Sequence, residues 1–293
     1  MKLLVLGSKG QLGRCLGDQL ANTDHDVVYA SRDQIDITDF HNTNLIIKDI
    51  KAHIVINTIA FTAVDRAEED KELANLTNNL AVQNLANICV ELDCWLIHIS
   101  TDYVFDGTSS VPYLEIEKTN PQGIYGVTKL KGEQAIESSG CKHLIIRTAW
   151  VFSEYGSNFL KTMLHLGHDR NELSIVGDQF GCPTYAQDIA KAIIKMINSL
   201  SIKIPQSGTY HYCGDKPCSW FDFAKEIFQE ASDQGLNTPN KVFSINTSQY
   251  PTLAKRPAYS VLDTSKIRNT FGVMPSDWNA AIPKIISSLQ KSQ

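Results

Sequence analysis

The sequence has no long hydrophobic run, and this absence argues against a membrane-spanning protein. Its first apolar stretch, residues 3–6, ends at Gly7, whereas a helix that crosses a bilayer needs roughly 18 to 20 apolar residues. The same stretch is too short for the apolar region of a signal peptide. We therefore expect no membrane partner and a cytoplasmic location.

An excess of basic residues is also missing. The 293 residues include 27 Lys and Arg against 32 Asp and Glu, which gives a formal net charge of −5. Proteins that bind nucleic acids usually carry clustered cations that neutralise phosphates. A nucleic-acid partner is therefore not expected, whereas a small anionic ligand is compatible with these charges.

Cysteine pairs of the Cys-x-x-Cys type are absent as well. The seven cysteines are an odd number, and the two Cys-x4-Cys pairs, which begin at Cys89 and Cys213, have no second half-site nearby. This usage is typical of a reduced intracellular protein rather than of a disulfide framework or a zinc site. We therefore predict free thiols and no metal.

The sequence does contain short apolar runs that alternate with longer helical patterns. Hydrophobic residues make up 43% of the chain, which is enough for a sizeable core. Strands that alternate with helices predict a parallel sheet that is covered on both faces. We predict strands over residues 2–6, 26–30, 53–57, 94–99 and 143–147, and helices over 12–20, 66–92, with a break near Asn78, and 125–138.

The second half of the chain has a looser pattern, since eight of the ten prolines follow residue 180. We predict an α/β fold with a Rossmann-type doubly wound parallel sheet and a smaller C-terminal substrate-binding lobe. The NAD(P)-binding domain is assigned to residues 1–150, with 186–215 packing back onto it, and the lobe mainly to 151–293. A cleft between the two parts is the natural ligand site.

A glycine-rich turn follows the first predicted strand. It reads Gly-x-x-Gly-x-x-Gly, with glycines at Gly7, Gly10 and Gly13. Glycines let the backbone approach a pyrophosphate closely, and a helix N-terminus offers free N–H groups and partial positive charge. We therefore predict a dinucleotide site that also includes Gln11 and Leu12.

The residues after the second strand bear on the choice of cofactor. Ser31 offers a hydroxyl and Arg32 a guanidinium. Both suit the 2′-phosphate of NADPH, because Arg can hydrogen-bond to two phosphate oxygens at once. Asp33 keeps NADH open, since an acid at this place favours a free 2′-hydroxyl. Arg32 as an ordinary solvated charge is the alternative. Asp36 and Ile37, a few residues on, are assigned to the same cofactor site.

Two further segments supply candidate catalytic residues. Thr101 lies at the end of the fourth strand, where parallel sheets place their ligands. Tyr125 and Lys129 lie four residues apart and so share one face of a helix. A cation next to a phenol lowers its pKa from an ordinary value of ~10 and suits it to acid–base work. Since such Tyr and Lys pairs are commonly only packed and solvated, the prediction rests on the joint pattern.

With these residues in place, the chain resembles the extended short-chain dehydrogenase/reductase superfamily and, within it, the family of dTDP-4-dehydrorhamnose reductases. The resemblance runs nearly from end to end, and its blocks are specific together rather than singly. They are GSKGQLG at 7–13, NTIAFTAVDRAE at 57–68, STDYVFDG at 100–107, YGVTKLKGE at 125–133, RTAWVFSEYGSNF at 147–159, DQFGCPTYAQD at 178–188 and the segment from the Arg-Pro pair at 256–257 to Leu262.

The resemblance implies roles for particular residues. The catalytic set is Thr101, Tyr125 and Lys129, with Lys129 also holding the nicotinamide ribose. The residues that line the nicotinamide side are Ala60 and Thr62, and those that meet the substrate are Thr101, Asp102 and Trp150. A packing role in the core is an equal alternative for Trp150. Related dehydratases carry Thr-Asp-Glu after the fourth strand, whereas this chain has Tyr103 at the third position, which favours carbonyl reduction over dehydration.

The function that the resemblance implies is NADPH-dependent reduction of the C4 keto group of dTDP-4-dehydro-L-rhamnose, a step in dTDP-rhamnose and polysaccharide biosynthesis. Tyr125 would be the proton donor, and a nucleotide sugar the substrate. Two alternatives stay open: a reductase of a different nucleotide-linked 4-ketosugar, and a non-catalytic NADP-binding regulatory subunit resembling that of methionine adenosyltransferase. A homodimer, and a metal ion that bridges it, are left undecided.

Overall fold

The computed structural model describes residues 1–200 and 207–291, which form twelve β-strands and eleven α-helices. The strands are β1 (Lys2–Leu6), β2 (Asp26–Ala30), β3 (Ile54–Asn57), β4 (Trp95–Thr101), β5 (Lys142–Thr148), β6 (Val151–Phe152), β7 (Glu172–Val176), β8 (Phe180–Gly181), β9 (Thr184–Tyr185), β10 (Gly208–His211), β11 (Cys218–Ser219) and β12 (Lys241–Ile245). The helices are α1 (Gln11–Leu20), α2 (Phe40–Ile50), α3 (Val64–Glu69), α4 (Lys71–Asn75), α5 (Ala81–Glu91), α6 (Ile124–Ser139), α7 (Phe159–Asp169), α8 (Ala186–Leu200), α9 (Trp220–Asp233), α10 (Ser265–Phe271) and α11 (Trp278–Lys291).

Six strands form one parallel sheet at the centre of the molecule, in the order β10-β5-β4-β3-β1-β2. Because β1 pairs with both β2 and β3, the winding direction of the chain reverses between β1 and β3. Ligands of such sheets bind at the carboxyl ends of the strands, next to this reversal. The doubly wound parallel sheet predicted from the alternation of strands and helices is confirmed.

Helices cover both faces of this sheet, and alternate residues of each strand serve the two sides. Leu3 and Val5 of β1 pack against α1, α8 and α10 in the first core, whereas Leu4 and Leu6 pack against α2, α5 and α6 on the other face of the sheet. All four leucine and valine side chains are fully buried. This explains why the strand reads as a continuous apolar run instead of an alternating one.

The long helix predicted over residues 66–92 is interrupted. Its parts are α3, α4, a π-helical turn over Leu76–Leu80, and α5. The buried Asn78 lies in this turn, where its Oδ1 accepts from the backbone N–H of Phe61 at 2.8 Å and its Nδ2 donates to Thr128 Oγ1 at 3.2 Å. The predicted break near Asn78 is therefore present, and a buried amide that binds two neighbouring segments accompanies it.

The residues after β5 build a second, smaller core. Here α7, α9 and α11 surround Phe152, Phe223 and Trp278, next to the parallel pair β7 and β12. Part of this region returns to the first core, because α8 packs on α1 and β10 pairs with β5. Of the segment 186–215, residues 201–206 lie outside the described part of the chain. Within the described ranges, no helix is long and apolar enough to cross a membrane.

Candidate active site

The predicted site residues gather at the carboxyl ends of the parallel strands. Gly7 follows β1, Ala60 follows β3 by three residues, and Thr101 is the last residue of β4. Trp150 follows β5 by two residues. The parallel register therefore brings together segments that are far apart in the sequence, on the edge where such sheets bind ligands.

The glycine turn has the geometry that a pyrophosphate site requires. Gly7 adopts a φ of 84°, and its N–H donates to the Ala30 carbonyl at 2.9 Å, while the N–H of Gly10 donates to the Gly7 carbonyl at 2.9 Å. A Cβ at Gly13 would collide with that same carbonyl oxygen. No side chain among the described residues caps α1 at Gly10, so its first turn can offer N–H groups to an anion. The turn therefore fits a dinucleotide.

Gln11 and Leu12 open α1 in different ways. Gln11 reaches across to the C-terminal part of the chain, where its Nε2 donates to the Val151 carbonyl at 3.3 Å and its Oε1 accepts from Asn158 at 2.8 Å. Leu12 is buried in the core under the turn, so its backbone is the part that can meet a cofactor. Gln11 thus joins the glycine turn to the second core.

A cavity of about 400 Å³ lies beside the turn and contains most of the other predicted cofactor residues. Arg32 is largely exposed, with its Nε 3.3 Å from Asp36 Oδ2. Thr38 donates to the other oxygen of Asp36, and this bond is the main cause that lowers the pKa of the Asp36 carboxyl. Arg66 also lines the cavity, next to the Phe61 ring, and the sequence pattern did not single it out. The predicted cofactor residues on the cavity wall are Arg32, Asp36, Ile37, Ala60 and Thr62.

Ser31 and Asp33 flank Arg32 but are engaged elsewhere. Ser31 is buried, and both its N–H and its hydroxyl donate to Gln34 Oε1, at 2.9 and 3.1 Å. Asp33 is exposed and pairs with Lys9 at 2.8 Å. Of this segment, Arg32 is the residue on the cavity wall, where Asp36 is its ion-pair partner.

Thr101, Asp102 and Tyr125 meet at the end of β4. The Thr101 hydroxyl donates to Asp102 Oδ1 at 2.9 Å and accepts from the N–H of Tyr103 at 3.2 Å. Asp102 is 2% exposed, and burial raises the pKa of its carboxyl to about 6. Burial also raises the pKa of the Tyr125 phenol, with Asp102 and Tyr103 acting in the same direction and a hydrogen bond with Thr101 opposing them. The phenol therefore keeps its proton at neutral pH.

The sequence spacing led us to expect that Lys129 lowers the pKa of Tyr125. The structure contradicts this expectation. The groups that shift the phenol pKa do not include Lys129. Lys129 is 1% exposed, and its Nζ donates to the Ile99 carbonyl at 2.6 Å and lies 3.1 Å from His98 Nε2. The Lys129 amine group thus turns toward the strand instead of the phenol. Its own pKa is lowered to about 8, chiefly by burial.

Tyr103 and Arg256 extend the site toward the C-terminal part of the chain. The Tyr103 ring meets the Tyr125 ring edge to face, with centroids 5.5 Å apart. Arg256 donates to the Tyr103 hydroxyl at 3.3 Å and pairs with Asp65 of α3 at 2.7 Å. Arg256 also lines a second cavity, of about 730 Å³, with Trp220, Tyr250 and residues of β7. The sequence offered Arg256 only as part of a family motif, and its contact with the catalytic region is visible only in three dimensions.

The surroundings of Trp150 have features of both predicted roles, packing in the core and shaping of the substrate pocket. Its ring stacks on Trp220 at 3.4 Å between centroids and packs against the second core, as a core aromatic would. It also has a φ of 48°, in the left-handed region that non-glycine residues rarely adopt. Trp220 in turn lines the 730 Å³ cavity, so Trp150 supports one wall of that cavity from behind.

All seven cysteines are buried free thiols. In the part of the chain that the structure describes, no three His, Cys, Asp or Glu side chains are grouped so that they could hold a metal ion.

A parallel doubly wound sheet with a glycine turn at its reversal point defines a Rossmann-type dinucleotide-binding fold. The chain belongs to the family described as RmlD substrate binding domain, whose model matches residues 1–291. It is 42% identical to the dTDP-4-dehydrorhamnose reductase of Aggregatibacter actinomycetemcomitans, over 97% of this chain and 98% of that protein. The family expected from the sequence is confirmed.

Solved structures agree with this assignment. A dTDP-4-dehydrorhamnose reductase from Clostridium acetobutylicum superimposes with a TM-score of 0.92 at 38% identity, covering 99% of this chain and all of that one. The dTDP-4-dehydrorhamnose reductase of Bacillus anthracis, solved in complex with NADP, gives a TM-score of 0.90 at 35% identity, over 98% and 99% of the two chains. NADP, the predicted cofactor type, is thus present in a relative with the same fold.

Proposed function

We propose that this chain is an NADPH-dependent reductase that converts the C4 keto group of dTDP-4-dehydro-L-rhamnose to a hydroxyl and so forms dTDP-L-rhamnose. The observation that carries the proposal is the meeting of Thr101 and Tyr125 at the end of β4, on the same sheet edge as the uncapped glycine turn. A protein that only binds a nucleotide has no need of a buried proton donor. The relatives' names support the choice of substrate.

The residues around the glycine turn would hold the cofactor. The N–H groups of the first turn of α1 and the close backbone at Gly10 suit the pyrophosphate, and Arg32 suits a 2′-phosphate. Ala60 and Thr62, on the wall of the same cavity as Arg32, would line the nicotinamide side. When bound, NADPH supplies the hydride for the reduction.

Tyr125 would deliver the proton to the oxygen at C4. Its raised pKa keeps the phenol protonated at neutral pH, which is the state that a general acid needs for a carbonyl reduction. Thr101 would hold and polarise the same oxygen by turning its hydroxyl hydrogen toward it and away from Asp102 Oδ1, to which the hydroxyl donates in the structure. Lys129 would hold the nicotinamide ribose from below.

The C-terminal part of the chain would bind the nucleotide. The cavity of about 730 Å³ is lined by aromatic and aliphatic side chains together with polar and charged ones, and its Arg256 adjoins Tyr103. The guanidinium of Arg256 suits a diphosphate, the apolar side chains suit the faces of a base and a deoxyribose, and the polar ones can meet their hydrogen-bonding groups. We accordingly propose residues 1–150, with α8 and β10, as the cofactor domain, and most of 151–293 as the substrate lobe. Binding energy from the nucleotide would then orient C4 for the reaction.

Product analysis tests this proposal. The purified chain is incubated with NADPH and, separately, with dTDP-4-dehydro-L-rhamnose and with 4-ketosugars linked to other nucleotides, and each product is identified by NMR. We expect dTDP-L-rhamnose as the main product. Preferred turnover of a different 4-ketosugar would replace the substrate and keep the reaction. A chain that binds NADPH yet reduces none of them would refute the reductase and favour a non-catalytic regulatory subunit.

A further inference from the structure

Two buried polar residues beneath the site have no role in the proposed reaction. Asn57, the last residue of β3, and His98, in β4, are register partners in the sheet, and both are fully buried. Polar groups are costly to bury unless hydrogen bonds satisfy them. Here they form a continuous chain with Lys129, which is itself 1% exposed.

The chain of hydrogen bonds runs from the loop after β3 to the Lys129 amine. The backbone N–H of Ile59 donates to Asn57 Oδ1 at 3.0 Å, and Asn57 Nδ2 lies 3.1 Å from His98 Nδ1. On the other side of the imidazole, His98 Nε2 lies 3.1 Å from Lys129 Nζ. Since Ile59 also lines the 400 Å³ cavity, the chain links the proposed cofactor site to Lys129.

The direction of these hydrogen bonds follows from the donor at Ile59. Because a backbone N–H can only donate, it fixes the Asn57 oxygen on its own side and leaves the Asn57 NH₂ facing His98. His98 Nδ1 is then an acceptor, so a neutral imidazole carries its hydrogen on Nε2. That hydrogen points at Lys129 Nζ, which can accept it only as an uncharged amine.

We infer that His98 is a positioning residue for Lys129, held by Asn57 in the tautomer that donates from Nε2 and so favours the neutral amine. The consequence for the reaction rests on the proposed function. There, His98 would fix the position of the Lys129 amine one helical turn from Tyr125 and bring its proton affinity closer to neutral pH. An ordinary lysine, with a pKa of ~10.4, would stay cationic there.

The surrounding charges are consistent with this assignment. Burial holds the pKa of His98 well below its ordinary value, so the imidazole stays neutral. Burial also lowers the pKa of Lys129 to about 8, and Glu133 on the same helix opposes the shift. Glu133 is itself engaged by Arg147 of β5 at 2.6 Å. Among the described residues, Glu133, which Arg147 engages, is the charged group that acts on the amine, and the neutral His98 lies beside it.

The tautomer of His98 can be read by NMR in the full-length protein without any substrate. Long-range ¹H–¹⁵N spectra of protein labelled at histidine are recorded at pH 9, above the pKa of Lys129, and the His98 signal is assigned as the one lost in His98→Gln. We expect a neutral ring protonated at Nε2. In Asn57→Asp, the carboxylate accepts from both sides, so we expect the proton on Nδ1. A wild-type ring protonated at Nδ1, or a tautomer unchanged by Asn57→Asp, would overturn the inference.

Two matched variants test the effect on the reaction. His98→Gln places an amide near the Nε2 position and keeps a partner for Lys129, whereas His98→Asn keeps a partner for Asn57 and loses the contact with Lys129. We expect His98→Asn to lower kcat by about tenfold, the equivalent of one hydrogen bond, with KM for the nucleotide sugar unchanged, and His98→Gln to recover most of the loss. Equal losses in both variants, in step with their melting temperatures, would mean a purely structural role.

The NMR experiment and the kinetic experiment can fail independently of each other. The NMR measurement needs neither a sugar nor turnover, so a chain that reduces no 4-ketosugar would refute the proposed function and leave the His98 assignment to be decided by the spectra. A chain that reduces its substrate well, yet carries the wrong His98 tautomer, would refute only the positioning role.

Discussion

The rings of Tyr103 and Tyr125 meet edge to face, with centroids 5.5 Å apart and planes at 75°. The hydroxyl of Tyr103 accepts from Arg256, which also pairs with Asp65. The proposed proton donor is therefore packed against a residue that is anchored to the C-terminal part of the chain. Through this contact, the proposed nucleotide binding in the 730 Å³ cavity would help to position the proposed proton donor Tyr125 at C4.

Arg256→Gln tests the proposed diphosphate contact. Loss of the guanidinium should raise KM for the nucleotide sugar by roughly tenfold or more, because hydrogen bonds between charged groups are worth about 1.5 to 3 kcal/mol. Affinity for NADPH should be unchanged. Tyr103→Phe is the control, since it removes only the hydroxyl and keeps the ring against Tyr125, and it should change KM little. An equal loss of NADPH affinity in Arg256→Gln would contradict this placement.

Arg32→Ala tests the choice of cofactor. Removing the guanidinium should weaken NADPH by about 1 to 3 kcal/mol, the range for lost charge-assisted hydrogen bonds, with little effect on NADH. Fluorescence titration with each cofactor gives both values. Arg66→Ala, on another wall of the same cavity, should affect the two cofactors alike. Equal weakening of NADPH and NADH by Arg32→Ala would show that Arg32 does not contact the 2′-phosphate.

Gly10→Val tests the glycine turn. Gly10 has a φ of −73°, which any residue can adopt, and a Cβ there would come 3.1 Å from the Gly7 carbonyl oxygen. The chain should therefore fold, while the side chain occupies the space proposed for the pyrophosphate. We expect NADPH binding to be abolished. Gly17→Ala, where a Cβ meets only Tyr29 at 3.9 Å, should bind normally. A folded Gly10→Val protein with normal NADPH affinity would refute the site.

The sheet and its glycine turn could be predicted because their signals are local. Each buried strand reads as an apolar run, and the Gly7 turn sits directly between a strand and a helix. Among the elements that were not predicted are α2, α10 and β12. In α2, asparagines and isoleucines obscure a helix that starts with Asp39 accepting from the N–H of Asn42 at 3.0 Å. In β12, most residues are only half-buried or exposed, so its pattern carries little hydrophobic contrast.

The inner structure of the site could not be read from spacing. A separation of four residues places Tyr125 and Lys129 on one helix face, but it does not say that His98 and the Ile99 carbonyl, on another strand, take up the amine. Burial then decides the pKa values, and burial is a property of the whole fold. The same holds for Arg256, whose contact with Tyr103 spans 153 residues of sequence.

Asp102→Asn tests the burial of the carboxyl beside Thr101. The folded-state pKa of about 6 lies above the ordinary 3.8, so the protonated form is favoured in the folded protein. Stability from this group is present below pH 3.8 and lost as the pH rises through 6, by about 3 kcal/mol, since each pKa unit is worth ~1.4 kcal/mol. Asp102→Asn avoids this loss. Its free energy of unfolding, relative to wild type, should therefore rise between pH 4 and pH 8.

Asp106→Asn is the matched control for that measurement. Asp106 is half-buried, and a hydrogen bond from the Thr108 hydroxyl is the main cause that lowers the pKa of its carboxyl. A lowered pKa contributes stability at neutral pH that is lost on acidification, so this variant should shift in the opposite direction. Denaturant unfolding at pH 4 and pH 8 gives both changes. If Asp102→Asn and Asp106→Asn shift alike, the assigned burial of Asp102 is wrong.

The central claim, that Tyr125 delivers the proton in a carbonyl reduction, is tested most directly by the turnover of Tyr125→Phe. Oxidation of NADPH is followed with dTDP-4-dehydro-L-rhamnose as substrate, and NADPH affinity is measured separately. The account predicts that kcat/KM falls by about 10²-fold or more, within the range for general acid catalysis, while NADPH binding stays nearly intact. A Tyr125→Phe protein with close to wild-type turnover would contradict it.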